Sequence, residues 1–361
     1  MAEDEADGTP AIPDEETPAG IPVPRTAGGA RRPARRALLA ATAAAGVGLL
    51  AACGDTGSRA DPAPGAEPPR GTGRASPAPS GTGPAPGKTA RPGRKYPELP
   101  RGGRELFPRH RLVGFCGLPG AAALGRLGTG DPGERADEIE KRARAYAGDR
   151  EALPVLELLA VVATAAPGPD GRYRSRTPDA TIRRFHRIAA GHRALLLLNI
   201  QPGRARVLDE VEALRPWLLR PDVGLALDPE WEMGPGEVPG DRFGRTSGRE
   251  LTGVADYLSR LVAAHDLPEK PLVFHQVAAS VLRQESALRR RPGVALIKSA
   301  DGIGSPDLKR ATWRRLVGNL PAGVHTGFKL FYEEDAEGSS RLMTPDEVLA
   351  LRPRPEYVMY E

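Results

Sequence analysis

The densest group of reactive side chains in this 361-residue chain is Asp228-Pro229-Glu230-Trp231-Glu232, directly after the apolar run at 223–227. In an extended backbone alternate residues share a face, so positions 226, 228, 230 and 232 align and three carboxylates follow one another in a row. Pro229 supports that register, because a residue before proline is pushed toward extended geometry. Neighbouring carboxylates raise one another's pKa, which lets one stay protonated beside an ionised partner. An acid paired with a base or nucleophile is what cleavage of a glycosidic bond requires. Polar residues close the other apolar runs as well: Cys116, Glu157, Asn199 with Gln201, His275 with Gln276, Lys298 and Asp301, Lys329 with Tyr332, Glu333 and Glu334, and Tyr360.

These residues need elements to hold them. Strand-like apolar runs occupy 112–116, 153–162, 194–200, 223–228, 271–275, 294–298, 324–331 and 357–360. Amphipathic stretches at 134–147, 178–190, 206–219, 248–265, 277–290, 306–317 and 345–351 read as helices between them. Thr177-Pro178-Asp179, Ser305-Pro306-Asp307 and Thr344-Pro345-Asp346 repeat one start signal, a hydroxyl N-cap followed by proline in the first turn. Continuous apolar strands separated by helices predict a parallel sheet covered on its outer face. Eight of them in the 258 residues of 104–361 predict a (β/α)8 TIM-like barrel, with the eighth helix absent because the sequence ends at Glu361. The rival, an open doubly wound sheet, lacks its Gly-x-Gly-x-x-Gly after the first strand, since Gly114-Phe115-Cys116-Gly117 has the wrong spacing. Active sites of such barrels lie at the C-terminal strand ends, where the polar residues above fall.

The fourth-strand segment resembles the motif of TIM-barrel glycoside hydrolases, chitinase-like enzymes included, in which an Asp-x-Glu ends the strand. Asp228 and Glu230 match it, and Ala226 stands where the chitinase motif has an earlier Asp. The resemblance implies Glu230 as proton donor and Asp228 as its tuning partner. Glu157 or Glu333 is then the second carboxylate, and Trp231 a sugar-stacking ring. Glu232, Asn199, Gln201, His275, Lys298, Lys329 and Tyr332 are expected to line the substrate. A non-catalytic glycan-binding or wall-binding barrel is the alternative.

Two further features bear on this. Only seven residues are lysine, at 88, 95, 141, 270, 298, 309 and 329, so two of the few close strands six and seven. A lysine near another cation suits Schiff-base chemistry, and an ammonium beside acids suits simple neutralisation. His275 and His325 have no His-x-His or carboxylate spacing of a metal site, so no metal and no cofactor is expected.

The N-terminal third gives an address. Residues 1–36 run from acidic to basic, and 37–52 are sixteen uncharged residues, signal-core length and short of the about 20 that span a bilayer. Leu50-Ala51-Ala52-Cys53 resembles a bacterial lipobox, which implies a signal peptide over 1–52 and lipidation of Cys53, and Arg35-Arg36 resembles a twin-arginine export signal. Two acyl chains hold a protein stably at a membrane, here the extracytoplasmic face. Removal of 1–52 takes five basic and seven acidic residues and moves the net charge from +5 to +7. Cys116 alone then remains, without a partner for an internal disulfide. Residues 54–94 hold nine Gly and nine Pro with no aromatic or branched aliphatic side chain, so 53–103 is expected to be a disordered spacer. The mild charge of both signs lacks the basic stripe of a nucleic-acid binder, and the expected partner is carbohydrate or cell-wall polymer in the cell envelope.

Overall fold

The computed structural model describes residues 95–361; the expected signal peptide, the lipidation site at Cys53 and the spacer up to residue 94 lie outside the described residues. Eight strands form one closed parallel barrel: β1 His110–Gly117, β2 Glu151–Ala163, β3 Leu195–Ile200, β4 Val223–Leu227, β5 Lys270–Gln276, β6 Val294–Ala300, β7 His325–Leu330 and β8 Tyr357–Tyr360. Each pairs with the next, and β8 pairs with β1 through Leu112 opposite Tyr357 and Phe115 opposite Tyr360. The helices are α1 Pro132–Ala143, α2 Asp179–Gly191, α3 Val207–Ala213, α4 Arg215–Leu218, α5 Gly248–His265, α6 Pro306–Val317 and α7 Pro345–Leu349. The barrel predicted from the alternation of runs is therefore the observed fold.

Period-two alternation divides each strand between two cores. Leu112, Leu153, Val155, Leu195, Leu197, Ala226, Val273, Ala295, Ile297 and Met359 fill the barrel interior. The intervening residues, such as Val113, Leu156, Leu196, Leu225, Phe274 and Leu296, pack outward against the helices. Two glycines make the interior fit. A Cβ on Gly114 would meet Met359 at 2.7 Å, and one on Gly327 would meet the Tyr357 ring at 2.8 Å.

Three expectations change. The packed chain starts before residue 104: Leu99, Leu106 and Phe107 are buried in the interior cluster and plug the N-terminal end of the barrel. Arg101 donates to Ala152 O at 3.0 Å and Arg104 to Leu267 O at 2.8 Å, so charged side chains fasten the plug to strand and helix ends. Residues 277–290 form no α-helix; they hold 3₁₀ turns at Ala279–Val281 and Glu285–Ala287 and a two-residue strand, Leu282–Arg283, paired with Thr246–Ser247. Tertiary partners satisfy this backbone instead of a helical ladder: the Thr252 hydroxyl of α5 lies 3.2 Å from Ala287 O and accepts from Arg289 N at 3.1 Å. The three look-alike helix starts also diverge. Thr344 forms a full capping box with Glu347, whereas the Thr177 hydroxyl donates to Leu159 O at 2.6 Å and the Ser305 side chain caps nothing. On the outer face of β8, Tyr332 stacks on Tyr360 at 5.3 Å and Tyr146 meets Tyr360 hydroxyl to hydroxyl at 2.5 Å.

Candidate functional site

Every barrel strand sends a polar side chain to the C-terminal end of the interior, and these groups meet in one buried network. Glu157, at the inner face of β2, is its centre. It accepts from Asn199 Nδ2 of β3 at 2.8 Å, from the Tyr357 hydroxyl of β8 at 2.5 Å, and lies 3.0 Å from His275 Nε2 of β5. Three donors on one carboxylate compensate its removal from water. His275 turns its other nitrogen to Asp301 at 2.8 Å, and Asp301 also accepts from the Ser299 hydroxyl at 2.6 Å. Lys329 of β7 places Nζ 3.2 Å from Asp301 and 2.7 Å from Glu361, which takes the Cys116 thiol of β1 at 3.5 Å. Asp228, just past β4, accepts from Asn199 Nδ2 at 3.1 Å and Gln201 Nε2 at 2.9 Å.

Opposite charges set the protonation of this network against the effect of burial. Burial alone disfavours a charged imidazole, but Asp301 and Glu157 outweigh it and raise His275 well above its ordinary range. Burial likewise opposes the Lys329 ammonium, and Glu361 and Asp301 outweigh it. Burial would raise the Asp301 carboxyl, yet the charges of His275 and Lys329 and the bonds from His275 and Ser299 hold it well below the usual range. Burial and the adjacent Glu157 both keep Tyr357 a neutral phenol and a donor.

Glu157, Asn199, Gln201, Asp228, His275 and Lys329 thus come together as the strand ends suggest. The carboxylate row does not form. After Leu227 the chain turns into a 3₁₀ segment, Pro229–Trp231, so the period-two alternation stops at Asp228. Asp228 enters the barrel, Glu230 is buried in the turn with its carbonyl accepting from Gly244 N, and Glu232 leaves toward α5. There, burial and the charge of Glu250, offset in part by a Thr246 hydrogen bond, push the Glu232 carboxyl up to about 8. Trp231 is buried, its indole N–H without a partner among the described residues, and offers no open stacking face.

Lys298 also departs from expectation. It sits between the inward residues Ile297 and Ser299, so it faces outward, with Nζ 2.7 Å from Glu285 and 2.5 Å from Leu316 O of α6. Tyr332 belongs to the outer aromatic layer, flanked by Arg126 and Arg142, and Glu333 is an exposed loop charge.

Ser299, Tyr357 and Glu361 are network members that the reading of strand ends missed. Counting by two from Met359 makes 357 and 361 inward and 360 outward, and the same count selects Ser299 over Lys298.

No protein-family model and no curated protein sequence matches the chain. Among solved structures, a hyperthermophilic endo-beta-1,4-glucanase in complex with substrate is similar at 7% identity and a TM-score of 0.35, over 65% of this chain and 82% of that chain. The barrel assignment rests on the strand pairing described above. Among the described residues, no group of three or more His, Cys, Asp or Glu has the arrangement of a metal site, and no helix is long and apolar enough to cross a membrane.

Chemically, the arrangement holds the Glu157 carboxyl group between a phenol, an amide and an imidazole, with a second carboxyl group, that of Asp228, close by. The shared Asn199 nitrogen limits the gap between the Glu157 and Asp228 oxygens to at most about 6 Å, short of the about 6.5–9.5 Å that an inverting pair needs to admit a water.

Proposed function

We propose that this barrel acts on carbohydrate of the cell envelope or its surroundings, with Glu157 as the partner carboxylate and Glu230, beyond Pro229, as proton donor beside Asp228. The observation that carries the reading is the Asn199 amide held between Glu157 and Asp228 at the C-terminal end of the barrel. A carboxylate fixed by three donors has the preorganisation that a nucleophile or base needs. The full chain is expected to release product from at least one polysaccharide or chromogenic glycoside. Glu157→Gln and Glu230→Gln should each lower kcat by about 100-fold or more. Turnover equal to wild type in both variants removes these assignments.

Glycan binding without turnover is the second reading. Glycan retention by an affinity gel with no product over days would select it.

The same proposal places the domain outside the cell, carried by a lipid on Cys53 after twin-arginine export and set off from the membrane by the Gly/Pro-rich spacer. Fractionation tests it: Cys53→Ala should move the protein from the membrane to the soluble fraction, and Arg35→Lys with Arg36→Lys should abolish export. A wild-type chain already soluble would overturn the anchor.

A further inference from the structure

The mouth of the barrel is rich in acceptors and short of donors. Its buried acids are Glu157, Asp228, Asp301 and Glu361, and its bases are His275 and Lys329. Asn199 adds an independent sign. Its Nδ2 lies between Glu157 and Asp228, which fixes the amide orientation, because the flipped form would set oxygen against two carboxylates. Asn199 Oδ1 is then a buried acceptor with no hydrogen-bond donor among the described residues. Gln276, next to His275, repeats the pattern: Nε2 donates to Ala278 O at 3.1 Å and Oε1 meets no donor. Buried amide oxygens without donors are uncommon and mark places where a ligand or water completes the bonding. The same shell already holds one ammonium, that of Lys329, between two carboxylates.

We infer that the site takes a second ammonium from its ligand: a sugar bearing a free amine, seated with its nitrogen against Asn199 Oδ1 and beside Glu157 and Asp228. This rests on the carbohydrate reading and names the substrate class within it. An N-acetylated sugar brings one N–H and no charge, and a uronic acid adds a carboxylate to a shell already in acid excess. A free ammonium brings three donors and a positive charge, and charge-assisted bonds are about twice as strong as neutral ones.

The test is calorimetric binding of four tetrasaccharides to the full chain: glucosamine, N-acetylglucosamine, glucose and galacturonate oligomers, with products scored separately by chromatography. The glucosamine oligomer is expected to bind at least about tenfold tighter than each of the others. Asn199→Ala and Asp228→Asn, scored where circular dichroism matches wild type, should narrow that preference to within about twofold. Equal or weaker binding of the amine, binding of none of the four, or an unchanged preference in a folded variant overturns the inference. Turnover of a neutral glycan without amine preference removes this inference and leaves the hydrolytic reading. Amine preference without turnover of any glycan does the reverse.

Discussion

Lys329 and Lys298 stand on neighbouring strands, both almost wholly buried, and serve different regions of the molecule. Lys329 lies inside the barrel, where its ammonium balances Asp301 and Glu361 within a network drawn from all eight strands. Lys298 lies in the strand–helix layer, where it ties Leu316 O at the end of α6 to the half-exposed Glu285. Lys270 does the same work at the start of β5, donating to Arg220 O and to Val223 O at 2.7 Å. Burial of a charge therefore does not by itself identify a site. Convergence of mutually dependent charges does, because there the buried charges of His275, Asp301 and Lys329 offset one another.

The sharpest way to break this contrast is Asp301→Ala, which leaves the His275 and Lys329 charges buried together without their shared counter-ion. It should cost about 3–5 kcal/mol in urea unfolding, the range for removing one partner of a buried ion pair. A loss under 1 kcal/mol would mean the interior network is held no more tightly than the outer posts. The two lysines give the direct comparison. Lys329→Met should cost about 3 kcal/mol, since Asp301 and Glu361 lose a charge partner, while Lys298→Met should stay within about 1 kcal/mol, since an apolar side chain suits the strand–helix layer. Equal costs would erase the distinction between the two regions.

The outer carboxyl Glu232 sharpens the comparison through pH. Its folded value of about 8 lies above its ordinary one, so the folded state holds a proton that the unfolded state releases as pH rises from 4.5. That contribution to stability is present in full below the ordinary value and is lost as pH climbs toward 8. The expected loss is about 2 kcal/mol between pH 5 and 8 after discounting for solvent screening, and Glu232→Gln should flatten it. Tyr357→Phe is the mildest change. It removes one of three donors to Glu157 and should cost about 1 kcal/mol, with a larger fall in kcat than in KM under the hydrolytic reading.

Much of the barrel was legible because runs such as 223–227, and 294–298 up to its closing lysine, are apolar on both faces, which a covered parallel sheet accommodates. The N-caps at 305 and 344 marked helix starts because proline fits the first turn whatever lies around it. The segment at 277–290 was not legible: it carries helical spacing, but Thr252 and the short strand at 246–247 supply its backbone partners from elsewhere in the chain. Within the site, Glu157, Asn199, Asp228 and His275 were visible as polar ends of apolar runs. Glu232, Lys298 and Tyr332 met that criterion too, yet each turned away from the interior.

Hydrophobic length and periodicity are local properties, so the eight barrel strands and the residues that close them can be counted along the chain. The sequence also carried the resemblances in the N-terminal segment and at Asp228 and Glu230. Tertiary structure alone decided which polar ends meet. Facing is settled by one residue of parity, as between Lys298 and Ser299, and by where a strand stops, as at Leu227. Both depend on the closure of the barrel around Gly114 and Gly327, where room for one side chain is made by the absence of another.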